Sequence, residues 1–427
     1  EEGKDLKPFF DAIIEKIPAP RYEESEPFQM IVCNIGYSDY TGRLAIGRVM
    51  NGHAEKNNQL VCLEENNKII PLRVSKLQVY KGITHEEVDT VSPGEIVVLS
   101  GVEEVQIGDT ICNKEHPKAY KRITVDEPTI AMSFMVNTSP LSGTEGTFVQ
   151  SARIWERLQK ETLYNVAIKV ERSPTSDVFI VKGRGELQLA ILIEQMRREG
   201  FELAVGRPRI LFKEKDGKKL EPMEHVVIDA DSEFAGIITE KLGQRRGIMV
   251  HMNVLHAHNR TRLEFKVPSR GLIGYRNEFL TDTKGTGIIN SSIEGYEEMK
   301  GPIERRKTGS LIADRLGQAV PYGMWYLEER GRLFVLPGTK LYEGMIVGEH
   351  SRDNDLMVNL SRTKKLTNIR TTSKDEAVTL TPIQPFTLEQ AIEFINDDEL
   401  VEVTPKSIRM RKAILNFNER KIAEKKS

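Results

Sequence analysis

The sequence predicts a multidomain protein of β and α+β class, and two patterns carry that expectation. Between Asp126 and Glu297 the order strand, helix, strand, strand, helix, strand is written twice, on stretches with little sequence in common. Each copy switches between period two and period 3.6, the mark of the split βαβ, ferredoxin-like unit. Ahead of the tandem, from about Pro27 to Ile111, only short alternating segments occur, parted by Gly, Asn and Pro, as a closed β-barrel requires. A chain of 427 residues has room for about three domains, each with its own core.

The first element is a helix. Leu6, Phe9, Phe10, Ile13, Ile14 and Ile17 form an apolar stripe that ends at Pro18-Ala19-Pro20. The chain opens without Met, and residues 1–24 are expected to be the last helix and linker of an upstream domain; a helix folded back on downstream residues is the alternative. The barrel is assigned to 25–118, with QMIVCNIGY, GRLAIGRVM, QLVCL, IIPLRVSKLQVY and EIVVLSG as its segments. Gly42, Gly47 and Gly52 recur at a fixed beat, suiting barrel bends where side chains would crowd. The first ferredoxin-like domain, 125–207, takes TIAMSFMV as a strand and Thr147 to Glu161 as a helix, from the spacing of Phe148, Ile154, Trp155 and Leu158. YNVAIKVE and DVFIVKG follow as a strand pair, then the long helix GELQLAILIEQMRREG and the closing strand FELAV. The second, 220–300, runs from HVVIDA through a helix around Glu233 to Gly243, then IMVHMNVLHA, TRLEFKVP, a helix after Ser269 and GIINSSIEGY. Residues 301–427 form a mainly β C-terminal domain. Such α/β sandwiches leave a sheet face and several loops free and are docking modules more often than enzyme cores, although fold alone does not decide function.

Composition narrows the classes. The balance of 61 basic against 63 acidic residues excludes a wholly basic nucleic-acid coat, so RNA contact must be local. Cys33, Cys62 and Cys112 are odd in number, lack metal-type spacing and read as reduced, buried thiols of a cytoplasmic protein. No stretch approaches the ~20 apolar residues that span a membrane, and no secretory leader opens the chain.

Several stretches carry a resemblance. GRLAIGRVMNGHAEKNNQL resembles the second, barrel domain of translational GTPases. GRGELQLAILIEQMRREGFEL is similar to the third domain of elongation factor G, and RRGIMV with PSRGLIGYRNEF to that factor's last ferredoxin-like domain. YEGMIVGEHSRDNDLMVNL, TKKLTNIR and DDELVEVTPKSIRMRK resemble the C-terminal domain peculiar to the bacterial BipA/TypA family. Gln188 departs from the family's usual His. The resemblance implies binding to the bacterial ribosome, to large-subunit rRNA and to A-site tRNA, as a monomer, with a part in large-subunit assembly and in cold or stress adaptation. It also places a GTPase domain, with GTP and Mg²⁺, ahead of Glu1. The present residues have no GxxxxGK[ST] loop, and Asn113-Lys114-Glu115-His116 lacks the Asp that reads guanine, so no cofactor and no GTP hydrolysis are expected of this chain by itself.

Three basic groups are candidate RNA contacts. In SRTKKLTNIRTTSKDE, Arg362, Lys364, Lys365, Arg370 and Lys374 come without an intervening acid, among Ser, Thr and Asn368 that can donate to phosphate oxygens. No aromatic interrupts the run, which argues for phosphate positioning over base stacking; a solvated β-hairpin stands as the alternative. The resemblance favours RNA, because this domain of the family reaches the peptidyl-transferase region and the acceptor end of A-site tRNA. Lys406, Arg409, Arg411 and Lys412 form the second group, alternating with Ile408 and Met410 as an edge strand with one charged face, ahead of a disordered tail with Arg420, Lys421, Lys425 and Lys426. The third group is Arg245 and Arg246 at a helix end, where the macrodipole alone favours cations. By resemblance to the elongation factor G domain, both are candidate rRNA contacts, as is Arg270. A contrasting reading is a regulatory scaffold that binds proteins through the tandem sheets.

Other patterns mimic catalytic or metal sites. Ser361 to Lys364 matches SxxK and Lys307-Thr308-Gly309 matches KTG, but their order is reversed and the surrounding pattern is β, whereas a Ser nucleophile of that class opens a helix. His251, His256 and His258 lack a second ligand pair for zinc. Asp397-Asp398-Glu399 follows a helix opened by a Thr387/Gln390 capping box and reads as a solvated charged end.

Overall fold

The computed structural model describes residues 5–425 except 19–21, 23–25, 39, 65–67, 102–104, 124–126, 174–176, 256–258, 304–305, 307 and 364–378. The chain divides into two compact units, 1–126 with 159–168, and 127–158 with 169–427.

The first unit is an eight-stranded antiparallel sheet in which Gln29–Ser38 and Gly42–Asn51 are central neighbours. Leu72 near one end of the strand order and Leu77 near the other share one core with Met30, Val49, Leu99 and Ile111, so the sheet curls into a barrel. The glycine beat has two physical causes. A Cβ on Gly47 would meet the Ile31 carbonyl oxygen at 2.1 Å, whereas Gly42 is uncrowded but held at φ +73°. Cys62 and Cys112 are buried as expected, but Cys33 is exposed. Burial and the neighbouring Asp109 push the Cys62 thiol up to about 12, leaving it an inert, protonated core residue. Helix α1, Lys7–Lys16, has no buried residue, and Phe9, Phe10 and Ile14 of its apolar stripe stay exposed.

The first ferredoxin-like copy consists of β1 (Ile130–Met135), α2 (Ser151–Tyr164), β2 (Lys169–Arg172), β3 (Val178–Gly183), α3 (Glu186–Arg198) and β4 (Leu203–Val205), all in the second unit except the end of α2 from Gln159. Helix α2 starts later than its apolar spacing predicts. The Phe148 backbone is instead engaged in a bridge with Phe201, donating its N–H to Gly200 and accepting from Glu202. The second copy consists of β5 (Lys218–Asp231), α4 (Ala235–Gln244), β6 (Ile248–Leu255), β7 (Arg260–Pro268), α5 (Tyr275–Asp282) and β8 (Ile288–Glu298). The strand orders are β2-β3-β1-β4 and β8-β5-β7-β6, the same arrangement twice. Val226, Ile228, Leu263 and Phe265 of the second sheet pack on Ile238, Leu242 and Phe279 of its helices.

The C-terminal region supplies β9 (Ser310–Ala313), α6 (Pro321–Trp325), β10 (Met345–His350), β11 (Leu356–Val358), α7 (Leu388–Phe394), β12 (Glu399–Val403) and β13 (Ile408–Lys412). It is not a separate module beside the first ferredoxin-like copy. Strand β12 pairs with β4, Leu203 opposite Val403, and the order continues β4-β12-β13-β10-β9-β11 within one 11-stranded sheet. The edge of the first ferredoxin-like sheet is therefore used internally, which removes an open template for foreign strands.

Candidate nucleic-acid interface

The second basic group lies inside the molecule. Strand β13 runs between β12 and β10, so it is an interior strand, and Arg409, Arg411 and Lys412 are buried. The expectation of an edge strand with one charged face is thereby corrected. Hairpin pairing sets Glu402 opposite Arg409 and Glu399 opposite Lys412. Glu402, fully buried, accepts from Arg409 Nε at 3.0 Å and from the Tyr342 hydroxyl, and lies 3.3 Å from Arg411 Nε. Arg409 also donates to Glu145 at 3.1 Å, and Arg411 to the Thr138 hydroxyl at 3.1 Å. Lys412 Nζ meets Asp355, Asp398 and Glu399 at 2.6, 2.8 and 3.0 Å. Burial alone would raise the Glu399 carboxyl, but Lys412 and Arg306 outweigh it and hold it below the usual carboxylate range. Glu399 is thus a buried ion-pair partner and no solvated helix end, although the Thr387/Gln390 capping box forms. Lys406, in the hairpin turn, is the exposed cation of this group.

The third group is split in the same way. Arg245 Nη1 donates to the carbonyls of Gly271 and Ile273 at 2.9 and 3.0 Å, and its Nη2 to Glu278 at 2.8 Å. Arg270 is locked to the fully buried Glu221 and to the Gly301 carbonyl. Both are latches within the second ferredoxin-like copy. Arg246 is exposed. Its φ of +65° puts it where helices usually end on glycine, with Arg246 N–H donating to Gly243 and Gly247 N–H to Leu242, the paired bonds of a Schellman end. It borders a cleft of about 1670 Å³ that also takes in Arg207, Arg209, Lys241 and Arg332.

Lys364, Lys365, Asn368, Arg370 and Lys374 of the first group lie outside the described residues. Both flanks of their segment are described, and both land on one stretch of the C-terminal core. Val320 N–H donates to the Leu360 carbonyl at 3.0 Å, and Thr381 N–H donates to Glu328 Oε1 at 2.7 Å. A Cβ on Gly323 would meet the Leu360 carbonyl at 2.4 Å, so α6 and the outgoing chain touch backbone to backbone. Arg362, exposed, holds its guanidinium carbon 5.3 Å from the Tyr326 ring centre. Tyr326 in turn stands 5.0 Å from Tyr322 and 5.1 Å from Trp325, ring to ring. Sequence reasoning missed these aromatics because they precede the basic run by more than a full strand; their one visible signal is the dense run Tyr322-Gly-Met-Trp-Tyr326.

Ser361 sits in a turn after β11 and opens no helix, while Lys307 and Lys364 lie outside the described residues, as do His256 and His258. Among the described residues no group of three or more His, Cys, Asp or Glu is placed to hold a metal ion. No described helix is long and apolar enough to cross a membrane.

Comparison with known proteins agrees with the order of domains. Residues 27–114 match the model of elongation factor G domain 2, residues 218–307 that of the elongation factor G C-terminus, and residues 308–417 that of the TypA/BipA C-terminal domain. The chain is 45% identical over 424 residues to a protein of Escherichia coli strain K12 named large ribosomal subunit assembly factor BipA, covering 99% of this chain and 70% of that protein. Proteins of the same name from Haemophilus influenzae and Bacillus subtilis are 46% and 43% identical, across 69% and 70% of their lengths. The chain spans about 70% of the length of these relatives. With three domain models in register and relatives matched over more than two thirds of their length, the chain belongs to the BipA/TypA family.

Proposed function

We propose that this chain serves assembly of the large ribosomal subunit, the task its relatives are named for, by holding large-subunit rRNA and the acceptor end of tRNA through its C-terminal domain. One observation carries the reading. The described residues on either side of the uninterrupted basic segment around Lys364 and Arg370 are bonded to one stretch of the core, Leu360 to Val320 and Thr381 to Glu328. A run of cations whose two flanks are anchored in this way suits positioning of phosphates without chemistry of its own. Arg246 and Lys406 are the further exposed cations this reading draws on.

Binding of this kind releases counterions, so its affinity falls steeply with salt. Gradient sedimentation of the chain with purified large and small bacterial subunits, across a salt series, tests it. Co-migration with the large subunit that fades as salt rises is the expected result; no preference between subunits would overturn it. The edge strand β6 favours a second reading, in which a protein partner docks on the exposed Ile248, Val250 and Met252. Subunit binding indifferent to salt would select that reading.

A further inference from the structure

The aromatic residues beneath the basic segment are placed for more than packing. Trp325 and Tyr326 are 46% and 47% exposed, side by side, on a segment whose Gly323 and Met324 are buried and fixed. The rings meet nearly at right angles, 79° between Tyr322 and Tyr326 and 70° between Trp325 and Tyr326. In such edge-to-face pairs an edge takes at most one face of the other ring, and neither pair covers a ring with a parallel partner. The Tyr322 and Tyr326 hydroxyls, 3.1 Å apart, tie two of the rings together. Arg362 stands over Tyr326, and Lys364 and Lys365 follow it in sequence. An apolar peptide on these rings would strip water from the Arg362 guanidinium and offer it nothing in return. A nucleotide offers a base to the rings and a phosphate to the cation.

We propose that Tyr322, Trp325 and Tyr326 form a stacking site for an unpaired base of single-stranded RNA, with Arg362 holding the phosphate beside it. The inference rests on the RNA reading above and adds a base-dependent contact to it. The basic run itself contains no aromatic residue, so the rings of such a site come from a different part of the chain.

The sequence holds two tryptophans, so Trp155→Phe leaves Trp325 as the sole indole reporter. The full chain with that change is titrated with a labelled single-stranded oligoadenylate and with an abasic phosphodiester strand of equal length. Strand anisotropy reads binding and Trp325 emission reads stacking. Oligoadenylate should bind and quench Trp325, the abasic strand should leave its emission unchanged, and Tyr326→Ala should weaken oligoadenylate binding roughly tenfold while Tyr326→Phe restores it. Equal binding of both strands without quenching would overturn the stacking site and leave phosphate recognition standing. Failure of both strands to bind would overturn both. Quenching by an apolar peptide and by neither strand would assign the rings to a protein partner.

Discussion

Glu402 is the most exposed to failure by a single change, because two arginines and a tyrosine hydroxyl depend on one carboxylate with no access to water. Removing one partner of a buried ion pair leaves the others charged and uncompensated. Glu402→Ala is therefore expected to cost about 3–5 kcal/mol by urea denaturation; a loss below about 1 kcal/mol, the scale of an exposed pair, would contradict the described network. Arg246 carries a prediction of opposite sign. Holding a non-glycine residue at positive φ costs on the order of 1 kcal/mol, so Arg246→Gly should raise stability by about that amount in the same assay while lowering affinity for RNA. A variant less stable than the parent would show that the side chain's bond to the Pro302 carbonyl outweighs the backbone strain. The charges of β13 were legible as an alternating strand, but their burial was not, since a charged face looks the same on an edge and in an interior. The missed signal lies across the hairpin: Glu402 faces Arg409 and Glu399 faces Lys412 in the register that the Thr404 to Ser407 turn imposes, and opposite charges directly across a strand pair are the mark of an internal match.

Elements joined by few residues show where the second unit responds to pH. Glu186 opens α3 and accepts from the Gly274 N–H at 3.1 Å, while Glu393 of α7 reaches Asn277 of α5 at 3.4 Å, so two carboxyls meet where three parts of the chain join. Burial pushes Glu186 up to about 7, with Glu393 and Glu224 adding and the Gly274 N–H and Arg245 opposing. Burial raises Glu393 as well. A carboxyl raised in the folded state contributes stability that is complete below its ordinary value near 4.5 and lost as pH climbs through about 7. Denaturation at about pH 5 and about pH 8 should show the parent losing some 2 kcal/mol more than Glu186→Gln, which stays neutral throughout. Equal losses would remove Glu186 from the account. The periodicity of α3, α4 and strands such as β3 and β7 was readable because each is buried along one face and shows its period. The pairing of β4 with β12 was not, because a contact between residues so far apart in sequence leaves no local trace.

For the whole molecule, the sequence patterns and the family motifs led to the same domain order, and the structure departs from them chiefly in where charge is used. Of the expected RNA contacts within the described residues, Arg246, Arg362 and Lys406 face solvent, whereas Arg245, Arg270, Arg409, Arg411 and Lys412 are engaged with carboxylates or carbonyls. On the proposed function, RNA recognition would fall on the basic segment after Arg362 and on those few exposed cations, and not on the charged strand of the sheet. Sedimentation with large ribosomal subunits across a salt series, comparing the parent with Lys364→Glu, Lys365→Glu and Arg370→Glu combined, tests this most directly. The account predicts salt-sensitive binding that the charge-reversed protein loses; binding that ignores both salt and the reversal would contradict it.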